Sequence, residues 1–211
     1  NNFNGTITVT GANVSLAGLD GITLGTSTIT GDLTVAAVNG VTVEGVVTTS
    51  GVTSIDADSN SDSSGDFTVL AAGSVATNNN TLTINARNVD LQGTLNAGVA
   101  GDIVLSISGT GHIQLGDSNL CPSCPMQISG AELENMTAAT LTISNSNGAI
   151  FVDNVTAADS ENIGAVILDS FRHIRFYGNE STFNALTATS ATDMDVLVNV
   201  STDTGDLILN G

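Results

Sequence analysis

Apolar residues in this chain recur with a period of two, and almost nowhere with a period of 3.6. Thr6-Ile7-Thr8-Val9-Thr10, Leu33-Thr34-Val35, Leu82-Thr83-Ile84, Ile103-Val104-Leu105, Ile113-Gln114-Leu115, Leu141-Thr142-Ile143 and Val166-Ile167-Leu168 carry the pattern. Alternation sends successive side chains to opposite faces of a strand, whereas a helix needs apolar residues three and four apart. The runs are short, and Gly, Asn or Asp, residues suited to turns, separate them. No helical crossovers lie between them, so an α/β fold is excluded and a sandwich, a barrel or a solenoid remains.

A repeated phrase favours the solenoid. Gly31-Asp32-Leu33-Thr34-Val35 returns as Gly65-Asp66-Phe67-Thr68-Val69, Gly101-Asp102-Ile103-Val104-Leu105 and Gly205-Asp206-Leu207-Ile208-Leu209, at intervals of 34, 36 and 104 residues. The last is close to three of the shorter intervals, and fixed-period self-similarity marks repeat architecture. Lesser copies inside one interval, Thr81-Leu82-Thr83-Ile84-Asn85 and Val89-Asp90-Leu91-Gln92-Gly93, imply more than one coil per interval. Coils of roughly twenty residues predict about ten coils, stacked at ~4.8 Å into a rod on the order of 50 Å long.

Composition agrees with that geometry. Hydrophobic residues make up 41% and mean hydropathy is +0.26, enough apolar surface to offset chain ordering. Aromatic residues are only 3% and Trp is absent, as a thin interior of stacked Val, Ile and Leu requires. The expected fold is all-β: a right-handed parallel β-helix, or β-solenoid, of about ten coils. Residues 1–211 are read as a single solenoid segment of a longer repetitive chain, with protruding loops near 54–65, 117–127, 131–139 and 156–163 or, in places, a short helical turn.

The phrases Gly-Asp-Leu-Thr-Val, Thr-Leu-Thr-Ile-Asn-Ala (81–86) and Gly-Thr-Leu-Asn-Ala-Gly (93–98) resemble the repeats of filamentous-haemagglutinin-like secreted adhesins. Asn147-Gly148-Ala149-Ile150, Phe151-Val152-Asp153-Asn154 and Phe176-Tyr177-Gly178-Asn179 are similar to phrases of autotransporter-type passenger β-helices. That second resemblance implies that Phe151 and Phe176 point inward while Asn154 and Asn179 make corners. Together the resemblances imply a secreted, structural or adhesive protein.

Three basic residues against 21 acidic ones give a formal charge of −18, with no lysine. Phosphate backbones and anionic lipids need cationic side chains, so nucleic acid and lipid surfaces are excluded as partners. No apolar run approaches the ~20 residues of a membrane span. The only cysteines, in Cys121-Pro122-Ser123-Cys124-Pro125, admit a redox couple, a zinc site with His112, or a small disulfide staple. Neither a βαβ context for the first nor a fourth ligand for the second is visible, so the staple is expected, and with it an extracellular or cell-surface location.

Asp56, Asp58, Asn60 and Asp62 place oxygens at alternate positions, with Asp66 slightly beyond, like the first half of a calcium loop. Ser61 stands where an EF-hand has Gly, and Phe67 where it has Glu, so a solvated polar loop is the alternative. Calcium is the one cofactor the sequence offers. Sequons for N-glycosylation occur at Asn4, Asn13, Asn79, Asn135, Asn154, Asn179 and Asn199, close to the number that the Ser and Thr content produces unaided.

Arg172, His173 and Arg175 form the sole basic cluster, with Asp169 nearby. A polysaccharide-cleaving cleft would need further cations to hold an anionic substrate, and no nucleophile motif or phosphate loop is present, so the chain is read as not an enzyme. The expected function is a structural or adhesive component of an extracellular fibre, filament, stalk or cell-surface appendage. The second class is a carbohydrate-binding or polysaccharide-cleaving β-helix module. Expected partners are flanking solenoid segments or further copies, end to end, and glycans or other cell-surface ligands.

Overall fold

The alternation seen in the sequence is the alternation of burial in space. In strand Leu33–Ala37 the side chains of Leu33, Val35 and Ala37 are buried, while Thr34 is exposed and Ala36 half-buried. A computed structural model, describing residues 1–117 and 120–211, shows short strands of this kind wound into a parallel β-solenoid of about ten turns. Every strand pairing within the described residues is parallel, as successive turns of one winding path require.

The broad sheet carries the longest ladder. Val14, Leu33, Thr53, Leu82, Ile103, Leu141, Val166, Leu186 and Leu207 stand in register as one inward column. Two residues on, Leu16, Val35, Ile55, Ile84, Leu105, Ile143, Leu168, Ala188 and Leu209 form the next. Each fully buried aliphatic member contributes roughly 1.5–3 kcal/mol relative to leaving it in water. Thr53 is the one polar member, and its hydroxyl is satisfied at 2.8 Å by the buried hydroxyl of Thr49.

Corners repeat as well as strands. Asn13 Oδ1 accepts the Asp32 N–H from 19 residues along the chain, and Asp32 Oδ1 accepts the Val52 N–H from 20 residues along. These steps give a regular coil of about twenty residues, as expected. The four Gly-Asp phrases, however, do not mark one structural period. Leu33, Ile103 and Leu207 belong to the broad-sheet column, but Phe67 belongs to a narrow wall, paired with Val41 and Val89. A Gly-Asp corner suits the start of any wall, so the 34-residue spacing linked different faces.

That narrow wall begins as Thr6–Ile7, Ile22–Leu24, Val41–Val43, Phe67–Val69 and Val89–Leu91. It resumes as Met126–Ile128, Ile113–Leu115, Ile150–Val152, His173–Phe176 and Asp193–Val196. Ile113–Leu115 therefore lies above Met126–Ile128 although it comes first in sequence. The chain skips a level, and the later strand fills it. Between Val89–Leu91 and Met126–Ile128 no backbone ladder forms among the described residues.

Side chains close this seam. Gln127 N–H donates to Asn88 Oδ1 at 3.0 Å, Leu91 N–H donates to Glu132 Oε1 at 3.1 Å, and Asn135 Nδ2 donates to the Leu91 carbonyl at 3.1 Å. Glu132 sits in the short helix Gly130–Glu134, where its other oxygen accepts the Ser129 N–H in a capping box. One carboxylate thus starts the helix and pairs the open strand edge beneath it.

The loop expectations need correction. At their edges, strand Thr53–Asp56 covers the start of 54–65, and strand Ile163–Ser170 takes the last residue of 156–163. Residues 131–139 contain the end of that helix and then the strand Met136–Asn145, because Met136, Ala138 and Leu141 continue the inward alternation. The 117–127 region ends in strand Met126–Ile128, and its residues 118 and 119 lie outside the described residues. Residues 57–66 and 156–162 are turns and bends between strands. Within the described residues, no helix is long and apolar enough to cross a membrane.

Candidate functional site

Outward positions on the narrow wall differ sharply between its two stretches. The lower stretch presents Thr23, Thr42, Thr68 and Asp90 in register. The upper stretch presents Gln127, Gln114, Phe151, Arg175 and Asp195. Cys121 and Cys124 form a disulfide, which settles the staple among the three cysteine readings. The two glutamines hold its loop against the wall: Gln114 Oε1 accepts the Cys121 N–H at 2.7 Å, and Gln127 Nε2 donates to the Cys124 carbonyl at 3.2 Å.

Above that loop lies an aromatic group. The Phe151 ring makes edge contacts with His112, His173 and Tyr177 at centroid distances of 5.5, 5.8 and 5.9 Å. Phe176 is inward, as the resemblance implied, but Phe151 is outward and half-buried. Register explains the difference, since Phe176 pairs with Val152 and Phe151 with Arg175, so the two Phe phrases are offset by one residue. Burial lowers the His112 pKa, helped by the nearby Arg172 and His173 charges. Its Nδ1 accepts the Ala149 N–H at 3.0 Å, which suits a neutral ring. Burial raises the Tyr177 pKa, and the Asp153 carboxylate adds to the rise.

The basic cluster divides in space. Arg175 is paired with Asp195, 2.7 Å from Nη2, and lies 6.0 Å from the Tyr177 ring centroid. Arg87, the third arginine, pairs with Asp66 at 3.3 Å. Arg172 is exposed and has no carboxylate within ion-pair distance among the described residues. Beside it opens a shallow cleft of about 420 Å³, lined by Ser144, Ser146, Asp169, Phe171 and Ala191 among others. Phe171 is 62% exposed there, and the Asp169 carboxylate has no hydrogen-bond partner among the described residues.

The chain matches no family model, no curated protein and no solved structure. The haemagglutinin-like and autotransporter-like phrases therefore support a parallel β-solenoid, which the structure displays, and carry no assignment to either family.

The acidic loop is organised internally. Asp58 is fully buried, and its carboxylate accepts the N–H groups of Asp62 and Ser63 at 3.2 and 2.9 Å and the Ser108 hydroxyl at 2.6 Å. Asp56 Oδ1 accepts from Asn85 Nδ2 at 3.0 Å, Asp62 accepts from Asn60 Nδ2 at 2.7 Å and from the Ser64 hydroxyl, and Asp66 faces Arg87. Hydrogen bonds from Ser64 and Asn60 hold the Asp62 carboxyl below its usual pKa. Among the described residues, no three His, Cys, Asp or Glu side chains gather as a metal site.

The sequon asparagines occupy different settings. Asn4, Asn13, Asn79, Asn179 and Asn199 are exposed, whereas Asn154, at φ 57°, and Asn135 are half-buried. A glycan on Asn135 would replace one of the two hydrogens on the Nδ2 that closes the seam onto Leu91. In the sequence, Asp169, Arg172, His173 and Arg175 were legible as one cluster. Phe151 and Phe171 were missed as surface groups, and the signal for Phe171 was its place directly after the alternating run that ends at Ser170.

Proposed function

We propose that this chain is a non-catalytic shaft: a structural or adhesive segment of an extracellular fibre, filament, stalk or cell-surface appendage. The nine-rung, in-register column of the broad sheet is the observation that supports this most directly, because it joins the coils along one axis through parallel backbone pairing. The disulfide fits an oxidising location. A charge of −18 keeps neighbouring shafts apart laterally, so growth is directed to the ends.

An open solenoid edge pairs with a further coil of the same winding, so the partners this reading takes are flanking solenoid segments or further copies, end to end. Negative-stain microscopy of native material tests the reading. Rods or regular filaments are expected; compact particles would refute it. Incubation with acidic polysaccharides should release no new reducing or unsaturated ends. For the loop of Asp56, Asp58, Asn60, Asp62 and Asp66, a calcium-dependent rise in Tm abolished by chelator is the measurement that would assign a cation.

A further inference from the structure

The corner between the broad sheet and the upper narrow wall combines a cleft with an exposed aromatic ring and a carboxylate unpartnered among the described residues. The Thr-lined lower wall has a cleft of similar size, about 450 Å³, but no aromatic ring in its lining. Phe171 presents most of its ring to water, an arrangement that burial would favour. Asp169 projects outward in register between Ser144 below and Thr189 above, with an unpartnered carboxylate among the described residues. Between these groups, the cleft of about 420 Å³ falls within the range of small-molecule sites, and Ala191 offers only a methyl group to its wall.

We propose that this cleft binds a neutral saccharide unit. A pyranose has an apolar C–H face and a rim of hydroxyls, so one aromatic ring and one acceptor-only carboxylate meet both of its surfaces. Phe171 supplies the ring. Asp169 accepts sugar hydroxyls in charge-assisted hydrogen bonds, which are stronger than neutral ones. Ser144 and Ser146 add hydroxyls that can donate or accept. The charge of −18 disfavours a polyanion, so the saccharide is assigned as uncharged. The proposal stands apart from the shaft reading, since a compact protein could carry the same corner.

The test titrates the whole chain with soluble gluco-, manno-, galacto- and N-acetylglucosamine oligomers, and with oligogalacturonate as the anionic comparison, using saturation-transfer NMR and calorimetry. At least one neutral oligomer should bind. Phe171→Ala and Asp169→Asn should each weaken that binding by about tenfold or more, while Phe171→Tyr stays within about threefold of the parent. Both positions are exposed, so unchanged melting of the variants confirms that the fold is intact. The proposal is overturned if none of these oligomers binds, or if binding survives Phe171→Ala unchanged. It is equally overturned if only oligogalacturonate binds and Arg172→Gln abolishes that binding, for then an anion is recognised. Rods in the microscope with no sugar binding would leave the shaft reading standing and remove this one.

Discussion

The lower and upper stretches of the narrow wall share an interior and differ outside. Inward, Ile22, Val41, Phe67 and Val89 below correspond to Met126, Ile113, Ile150 and Ile174 above. Outward, a row of threonines gives way to glutamine, phenylalanine and arginine, and the level order of the strands is broken once. A solenoid fixes its fold by the inward column and the corners, which leaves its outer positions free for other chemistry. Departures from the plain outer pattern are therefore where recognition is to be sought.

Removing an inward side chain should have the largest effect. Leu105→Ala should lower stability by about 2–5 kcal/mol, whereas the outward change Thr83→Ala should stay within about 0.5 kcal/mol. Denaturant titration reads both, and equal effects would break the inward-outward distinction. Next comes the seam, which has no counterpart lower down. Glu132→Ala leaves the Leu91 N–H without its partner and dissolves the capping box, at an expected cost of about 1–3 kcal/mol. The outward Thr34→Ala is the control, and a cost no greater than its own would mean that water closes the seam equally well.

Disulfide removal ranks below these. The bridge spans a sequence separation of 3, so Cys121→Ser with Cys124→Ser should cost about 2 kcal/mol or less on loop-closure grounds. Unfolding at ambient temperature would contradict that. The smallest effect is His112, whose folded pKa is lowered. Its neutral form contributes stability that is fully present above the unfolded value of about 6.5 and is lost as pH falls through the folded value. His112→Phe should flatten that part of the stability profile, and an unaltered slope would show that the ring titrates alike folded and unfolded.

Much of this was legible in the chain. Leu33-Thr34-Val35 and its relatives announced which side chains turn inward, because a period of two has one spatial meaning when one face is buried. The lesser repeats showed that an interval holds more than one coil, but they did not fix the coil length, which the corner bonds of Asn13 with Asp32 and of Asp32 with Val52 supply. The order of Ile113-Gln114-Leu115 and Met126-Gln127-Ile128 was not legible. Both are three-residue strands with the same pattern, and nothing local decides which stacks first. The aromatic group was hidden for a related reason: His112, Phe151 and His173 meet across rungs whose corner loops differ in length, so their sequence separations show no period. The capping box of Ser129 and Glu132 was readable as a pattern, but its second duty on Leu91 depends on a strand far away in sequence.

The seam also has a mechanical meaning. On one flank of the junction, strand Thr94–Ile107 is zipped to Met136–Asn145 by a long backbone ladder, while on the other flank a few side-chain hydrogen bonds span the gap. Under a shared bending load, deformation concentrates where resistance is lowest. A shaft loaded sideways would open at this joint first, pivoting about the zipped flank like a cover about its spine, and would reclose when Glu132 and Asn135 regain Leu91.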